Sequence, residues 1–174
     1  MKQGGKMKPI KTILVPIDFS EGSDGALKYA MMIARTVKAR IILVHAIQPY
    51  TYGMTETFNL VDHYGALKTI SGPMLEQVRK KVMQQGVSVE TDLLTGSAHR
   101  EIIEKARRAK ADLIVMGTHG RTGVEHFLMG SVAEKVVRLS ACPVLTVPPA
   151  KQAKVARKKG TGLKQEPSVT LISS

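Results

Sequence analysis

Apolar residues along this chain fall into two rhythms. Short continuous runs rich in Val, Ile and Leu alternate with longer stretches in which apolar residues recur every three or four positions. The first rhythm predicts buried strands and the second predicts amphipathic helices. The runs are Lys11–Ile17, Arg40–Ile47, Asp112–Met116 and Val144–Val147. Val87–Leu93 alternates apolar with polar and predicts a third, less buried strand between the second and fourth. A first helix follows Ser20 or Ser23, either of which can cap it, and runs to about Lys38 with Leu27, Ala30, Met31, Ala34 and Val37 on one face. A second spans Pro73 to Gln85, with Pro73 near its start, Met74, Leu75, Val78 and Val82 on its apolar face and Gly86 as its stop. A third runs from about Ala98 to Ala109. A fourth runs from Ser131 to Leu139 with Val132, Val136 and Leu139 inward. Residues 48–72, interrupted by Pro49, Gly53, Gly65 and Gly72, read as a mobile loop, with a short helix as the alternative.

Strand and helix therefore alternate from about residue 10 to residue 149. Buried strands joined by helices make parallel βαβ units, so the fold class is α/β in a single domain. Such sheets bind ligands beyond the carboxyl ends of their strands, at the point where strand order reverses. Four loops lie there: those beginning at Asp18, His45, Gly96 and Gly117.

Composition narrows the class. The net charge is +12, but it is concentrated at the ends. Residues 1–9 form a basic extension of +3, and residues 150–174 carry +5, with Lys151, Lys154, Arg157, Lys158, Lys159 and Lys164 against Glu166. The remainder is only mildly basic, which implies no polyanion partner for the folded part. The tail has no sustained apolar face and reads as disordered in isolation. No aromatic residue interleaves with its charges, so base stacking is not supported. A nucleic acid or anionic surface would be met only through the tail run Arg157–Lys159. No stretch is apolar enough to span a bilayer, and the basic N-terminus has no apolar segment behind it to make a secretory signal. Cys142 stands alone, which excludes an internal disulfide and fits a reducing, cytoplasmic setting. It reads as a small buried hydrophobe. The five histidines show no metal-ligand spacing.

The chemistry is concentrated after the fourth strand. There Gly117 and Gly120 are separated by two residues, nine residues intervene, and Gly130-Ser131 opens the last helix. Glycines permit positive φ and let backbone N–H groups approach an anion closely. A helix start offers free N–H groups and the positive end of a dipole. The segment lacks the lysine of a P-loop, and it is not the dinucleotide GxGxxG pattern.

This G-x2-G-x9-G-[ST] spacing resembles the nucleotide motif of the ATP-binding branch of the universal stress protein family. The opening KTILVPIDFSEGSDGAL, the strand end LVHAI and the closing CPVLTVP resemble that family too, over about residues 10–149. The resemblance implies a Rossmann-like, HUP-type domain with five parallel strands in the order 3-2-1-4-5 and helices on both faces. It implies a homodimer, commonly paired through the last strand, and a stress role exercised on a protein partner the sequence does not name. It implies that Pro16 and Asp18 border the adenosine, with the Asp18 carboxylate accepting from adenine or ribose. Ala46 would line the adenine pocket. Met116 and Gly117 would lie beneath the ribose and phosphates. Gly120, Gly130, Ser131 and Val132 would hold the phosphates, with Mg²⁺ or Mn²⁺ bound to them.

Read from position alone, Asp18 is equally a loop turn or N-cap carboxylate. His119 can touch phosphate or brace the glycine loop. Arg121 can neutralise phosphate or remain solvated. Phe127, Leu128 and Met129 can pack the loop down or meet a dimer partner. His45 reads as a satisfied core histidine and His99 as a surface one. Three functions compete: an ATP-binding regulatory module, a slow ATPase or nucleotidyl-transfer enzyme, and a polyanion-binding protein acting through its tail. For hydrolysis, His119 and Glu125 are candidate bases without a second partner.

Overall fold

The computed structural model of the chain describes residues 8–48, 59–120, 129–149 and 170–172. Five parallel strands form its centre: β1 (Thr12–Pro16), β2 (Arg40–Ile47), β3 (Val89–Thr95), β4 (Leu113–Gly117) and β5 (Val144–Val147). They stand in the order β3-β2-β1-β4-β5. Apolar runs alone dictate this burial. Ile13, Leu14 and Val15 of β1 are all inaccessible to solvent, because both faces of the sheet are covered. Period-2 alternation then sorts the strand residues between two cores. Ile13, Val15, Ile41, Leu43, Leu113 and Val115 face the helices α1 (Glu21–Val37) and α2 (Asn59–Gln84). Leu14, Ile42, Val44, Ile114 and Met116 face α3 (Ala98–Arg108) and α4 (Ser131–Leu139).

Local signals set most boundaries. Ser20 is the N-cap of α1, and its hydroxyl accepts from Ser23 N–H at 3.3 Å. The helix ends on Lys38 at φ 57°, a left-handed cap usually given to glycine, whose N–H donates to Ala34 O. Gly86 stops α2 at φ 75° as expected.

Four expectations need correction. First, α2 begins at Asn59 and passes through Pro73, so Pro73 is interior and much of the expected loop is helical. Gly72 supplies the reason. Proline disfavours helical backbone before it through a clash that includes the preceding Cβ, and glycine has none. Thr69 sits one turn before Pro73, and its hydroxyl donates to Gly65 O at 2.8 Å. Second, Val37, Met74 and Leu139 are 43%, 39% and 54% exposed rather than core. Val37 and Leu139 are the last residues of their helices, where the chain turns off the sheet. Buried Ala133 and Val136 carry the inner face of α4 instead. Third, β3 is shifted by two residues to Val89–Thr95. Fourth, Thr170–Ile172, inside the stretch expected to be disordered, form β6, antiparallel to β5 at the sheet edge.

Candidate functional site

The carboxyl ends of β1 and β4 are neighbours, with β2 and β3 on one side and β5 on the other. Strand order reverses between β1 and β4, and this is where the expected residues gather. Pro16 ends β1 and is half-buried. Asp18 follows, and its Oδ1 accepts from both the N–H of Ser20 (3.1 Å) and its hydroxyl (2.6 Å). One residue thus caps α1 and orients the acid. Between them Phe19 takes a left-handed φ of 64°, a conformation that costs a bulky residue energy. Its ring lies against His45, with centroids 4.7 Å apart. His45 is buried, and its Nδ1 is hydrogen-bonded to Ile17 O at 2.7 Å, the satisfied core histidine expected.

Across the switch point, β4 delivers Met116 and Gly117. Met116 is only 5% exposed, in the same core as the half-buried Ala46, Met129 and Val132. All four belong to the core on the α3 and α4 side of the sheet. Gly117 is placed by contact: a Cβ there would meet the backbone carbon of Gly22 at 2.9 Å, so β4 lies directly on the first turn of α1. Gly120 faces Asp18, because a Cβ on Gly120 would come within 2.6 Å of Asp18 Oδ2. The acid of the first loop and a glycine of the fourth therefore share one wall.

Thr118 ties the loop at both ends. Its N–H donates to Val147 O at 3.0 Å, and its carbonyl accepts from Gly130 N–H at 2.7 Å. That second bond returns the chain to the strand end twelve residues on and aims α4 at the site. The N-cap of α4 is Gly130, which has no side chain to offer its first turn. By helix geometry the first N–H groups lack intrahelical acceptors. Ser131 is exposed there and Val132 is half-buried. By contrast α1 carries its own serine cap. The start of α4 is thus the one of these two helix ends built to take an external acceptor.

His119 Nδ1 lies 3.0 Å from Thr118 Oγ1, a contact that fits the bracing role. Arg121, Glu125, Phe127 and Leu128 lie outside the described residues. His99 is half-buried, with Nδ1 3.0 Å from Ser97 Oγ. Burial lowers its pKa, as do the nearby charges of Lys135 and Arg100. Cys142 is half-buried rather than enclosed, beside Ser140 Oγ. Sequence reasoning missed Phe19, Gly22 and Thr118, and it saw Ser20 only as a cap. An Asp-x-Ser turn is legible as a short-range hydrogen-bonding pattern, but the Gly22–Gly117 approach is not.

A cavity of about 620 Å³ lies elsewhere, at the amino ends of the strands, lined by Pro9, Lys11, Thr12, Lys38, Arg40 and Ser88 among others. It contains none of the glycine residues, and the carboxyl end of α1 points at it, a dipole of the wrong sign for an anion.

The universal stress protein family profile matches residues 9–148. This chain belongs to the universal stress protein family. Its relatives include universal stress protein MJ0531 of Methanocaldococcus jannaschii, 39% identical over 140 residues that cover 79% of this chain and 81% of that one. The solved structure of MJ0577, from the same archaeon, is 31% identical with a TM-score of 0.68, covering 81% of this chain and 97% of that one. A universal stress protein solved in complex with cAMP is 25% identical with a TM-score of 0.63, covering 82% of this chain and 100% of its own. The family fold, with its 3-2-1-4-5 sheet and helices on both faces, is the one seen here. No helix among the described residues is long and apolar enough to cross a membrane.

Proposed function

We propose that this chain is an ATP-binding member of the family, a nucleotide-dependent regulatory module rather than an efficient enzyme. One observation carries the reading. A loop opened by Gly117 and Gly120 is clasped shut by the Gly130–Thr118 hydrogen bond, which points the side-chain-free start of α4 at the switch point beside Asp18. Phosphates take the free N–H groups of Ser131 and Val132 beside Gly130, whose own N–H is held by Thr118 O, and the approach left open at Gly120. The adenosine lies over Ala46, Met116 and Gly117 between Pro16 and Asp18, with the Asp18 carboxylate accepting from a base or ribose donor. Among the described residues no three acidic, histidine or cysteine side chains gather to hold a cation. Mg²⁺ or Mn²⁺ on the bound phosphates, where it would neutralise their charge, is part of the same proposal.

The likeness to a relative solved with cAMP supports an adenine nucleotide as the ligand class and makes cAMP the second reading. The single, half-buried cysteine fits a reducing cytoplasm. The homodimer and the protein partner implied by the resemblance belong to the same proposal.

The test is to purify the protein without added nucleotide, denature it, and identify released small molecules by chromatography with mass detection. Intact ATP near one per chain is expected. An empty protein that also ignores added Mg-ATP overturns the proposal. In Gly120→Val the new side chain collides with the Asp18 carboxylate, so ATP binding is expected to fall below detection while the circular dichroism spectrum is kept. Undiminished affinity in that folded variant would refute the loop assignment.

A further inference from the structure

Both backbone groups of Ile17 are held by β2. Its N–H donates to Val44 O at 2.8 Å, and its carbonyl meets His45 Nδ1 at 2.7 Å. The first bond carries the β1–β2 pairing one residue past Pro16. The second comes from a side chain. A carbonyl can only accept, so Nδ1 carries the ring proton. Ile17 and His45 are both buried, so removing the donor would leave a carbonyl unpaired in the interior.

The two residues after Ile17 are Asp18 and Phe19. Phe19 stands at φ 64°, a conformation that a bulky residue keeps only where its surroundings over-determine it. Its ring packs against the core on the α1 and α2 side, with its centroid 4.7 Å from that of His45. His45 therefore grips the backbone on the amino side of Asp18 and the side chain on its carboxyl side. Ser20 holds Asp18 Oδ1 through its N–H and its hydroxyl, and Oδ2 faces Gly120. The ring suits this place because it joins a donor to a flat apolar face. Leucine would fill the space without donating, and asparagine would donate without the ring.

We propose that His45 is a positioning residue for the ligand contact of Asp18: the imidazole fixes the path from Ile17 to Phe19 and thereby the place of the Asp18 carboxylate, and it acts through that carboxylate rather than on the ligand. The inference deepens the nucleotide reading and rests on it.

The experiment is a double-mutant cycle on the nucleotide-stripped full chain. Isothermal titration with Mg-ATP is run at a temperature where thermal melts show every variant folded. His45→Leu should weaken binding about tenfold in the native background and about twofold or less in the Asp18→Asn background, because a contact already lost at Asp18 cannot be lost again. His45→Asn keeps an N–H group the same number of bonds from the backbone as Nδ1, and it should bind more tightly than His45→Leu. Phe19→Ala takes the place of His45→Leu in the cycle, with the same criteria, where the leucine variant does not fold. Ring nitrogen shifts measured by NMR need no nucleotide and should show Nδ1 protonated. Equal losses in the two Asp18 backgrounds overturn the proposal, as does no loss in either. So do a His45→Asn protein that binds no better than His45→Leu and a ring protonated on Nε2 alone. A native chain that ignores Mg-ATP defeats the nucleotide reading and this inference with it, whereas a native chain that binds Mg-ATP but gives an additive cycle defeats this inference alone.

Discussion

Asp18→Asn separates two roles that a deletion would confound. The native carboxylate uses Oδ1 to accept from Ser20 N–H and hydroxyl. Asparagine keeps an acceptor oxygen for that turn, so the cap of α1 and the path into the helix survive. What changes is the second oxygen, beside Gly120, which becomes an N–H₂ group. A ligand donor that met a carboxylate oxygen there now meets another donor. Hydrogen bonds to charged groups are worth about 1.5–3 kcal/mol, and each 1.4 kcal/mol is tenfold in affinity. Mg-ATP affinity should therefore fall about ten- to hundredfold, with the melting temperature little changed. Isothermal titration of nucleotide-stripped protein reads the first quantity and a thermal melt the second. An Asp18→Asn protein that melts normally and binds ATP within about twofold of native would show that Asp18 serves only the turn. Asp18→Ala gives the contrast: it removes both bonds to Ser20, so it should also cost about 1 kcal/mol of stability.

Three further outcomes follow from the frame of the fold. Lys38→Gly should raise stability by about 0.5–1 kcal/mol in urea unfolding, since glycine adopts the left-handed cap at φ 57° without strain. Gly25→Ala in α1 should stabilise by a similar amount, about 0.5–1 kcal/mol, because a Cβ there meets only Val147 Cγ1 at an ordinary 3.9 Å. A melt below the native temperature would contradict that packing. Asp112 concerns pH. Burial alone would raise its pKa, but the Lys8 ammonium and the N–H groups of Lys11 and Thr12 hold it below the ordinary value. Its contribution is therefore present above the unfolded pKa of about 3.9 and lost as pH falls through the lower folded value. The stability difference between the native chain and Asp112→Asn, measured by thermal melts from pH 7 to 2.5, should be constant at high pH and vanish at the acid end. A difference that grows on acidification would refute the assignment.

Residue order alone was enough for the α/β class, the positions of β1, β2, β4 and β5, and the last helix. Continuous Val, Ile and Leu runs can be buried only between two layers, and Gly130-Ser131 marks a helix start through local chemistry. The glycine spacing likewise located the loop that leaves β4, because a Cβ at Gly117 or Gly120 would collide with Gly22 or Asp18 and only glycine avoids it. Three things were settled only in three dimensions. The first half of α2 was hidden because Gly65, Gly72 and Pro73 are breakers by propensity, whereas a glycine before the proline lets the helix continue. Strand β6 was hidden because three residues carry almost no periodicity, and their pairing depends on an edge twenty-odd residues away. The approaches of Asp18 to Gly120 and of Gly22 to Gly117 were hidden because each joins segments about a hundred positions apart. Such contacts are fixed by which strands lie side by side, and neighbouring residues in sequence do not encode that.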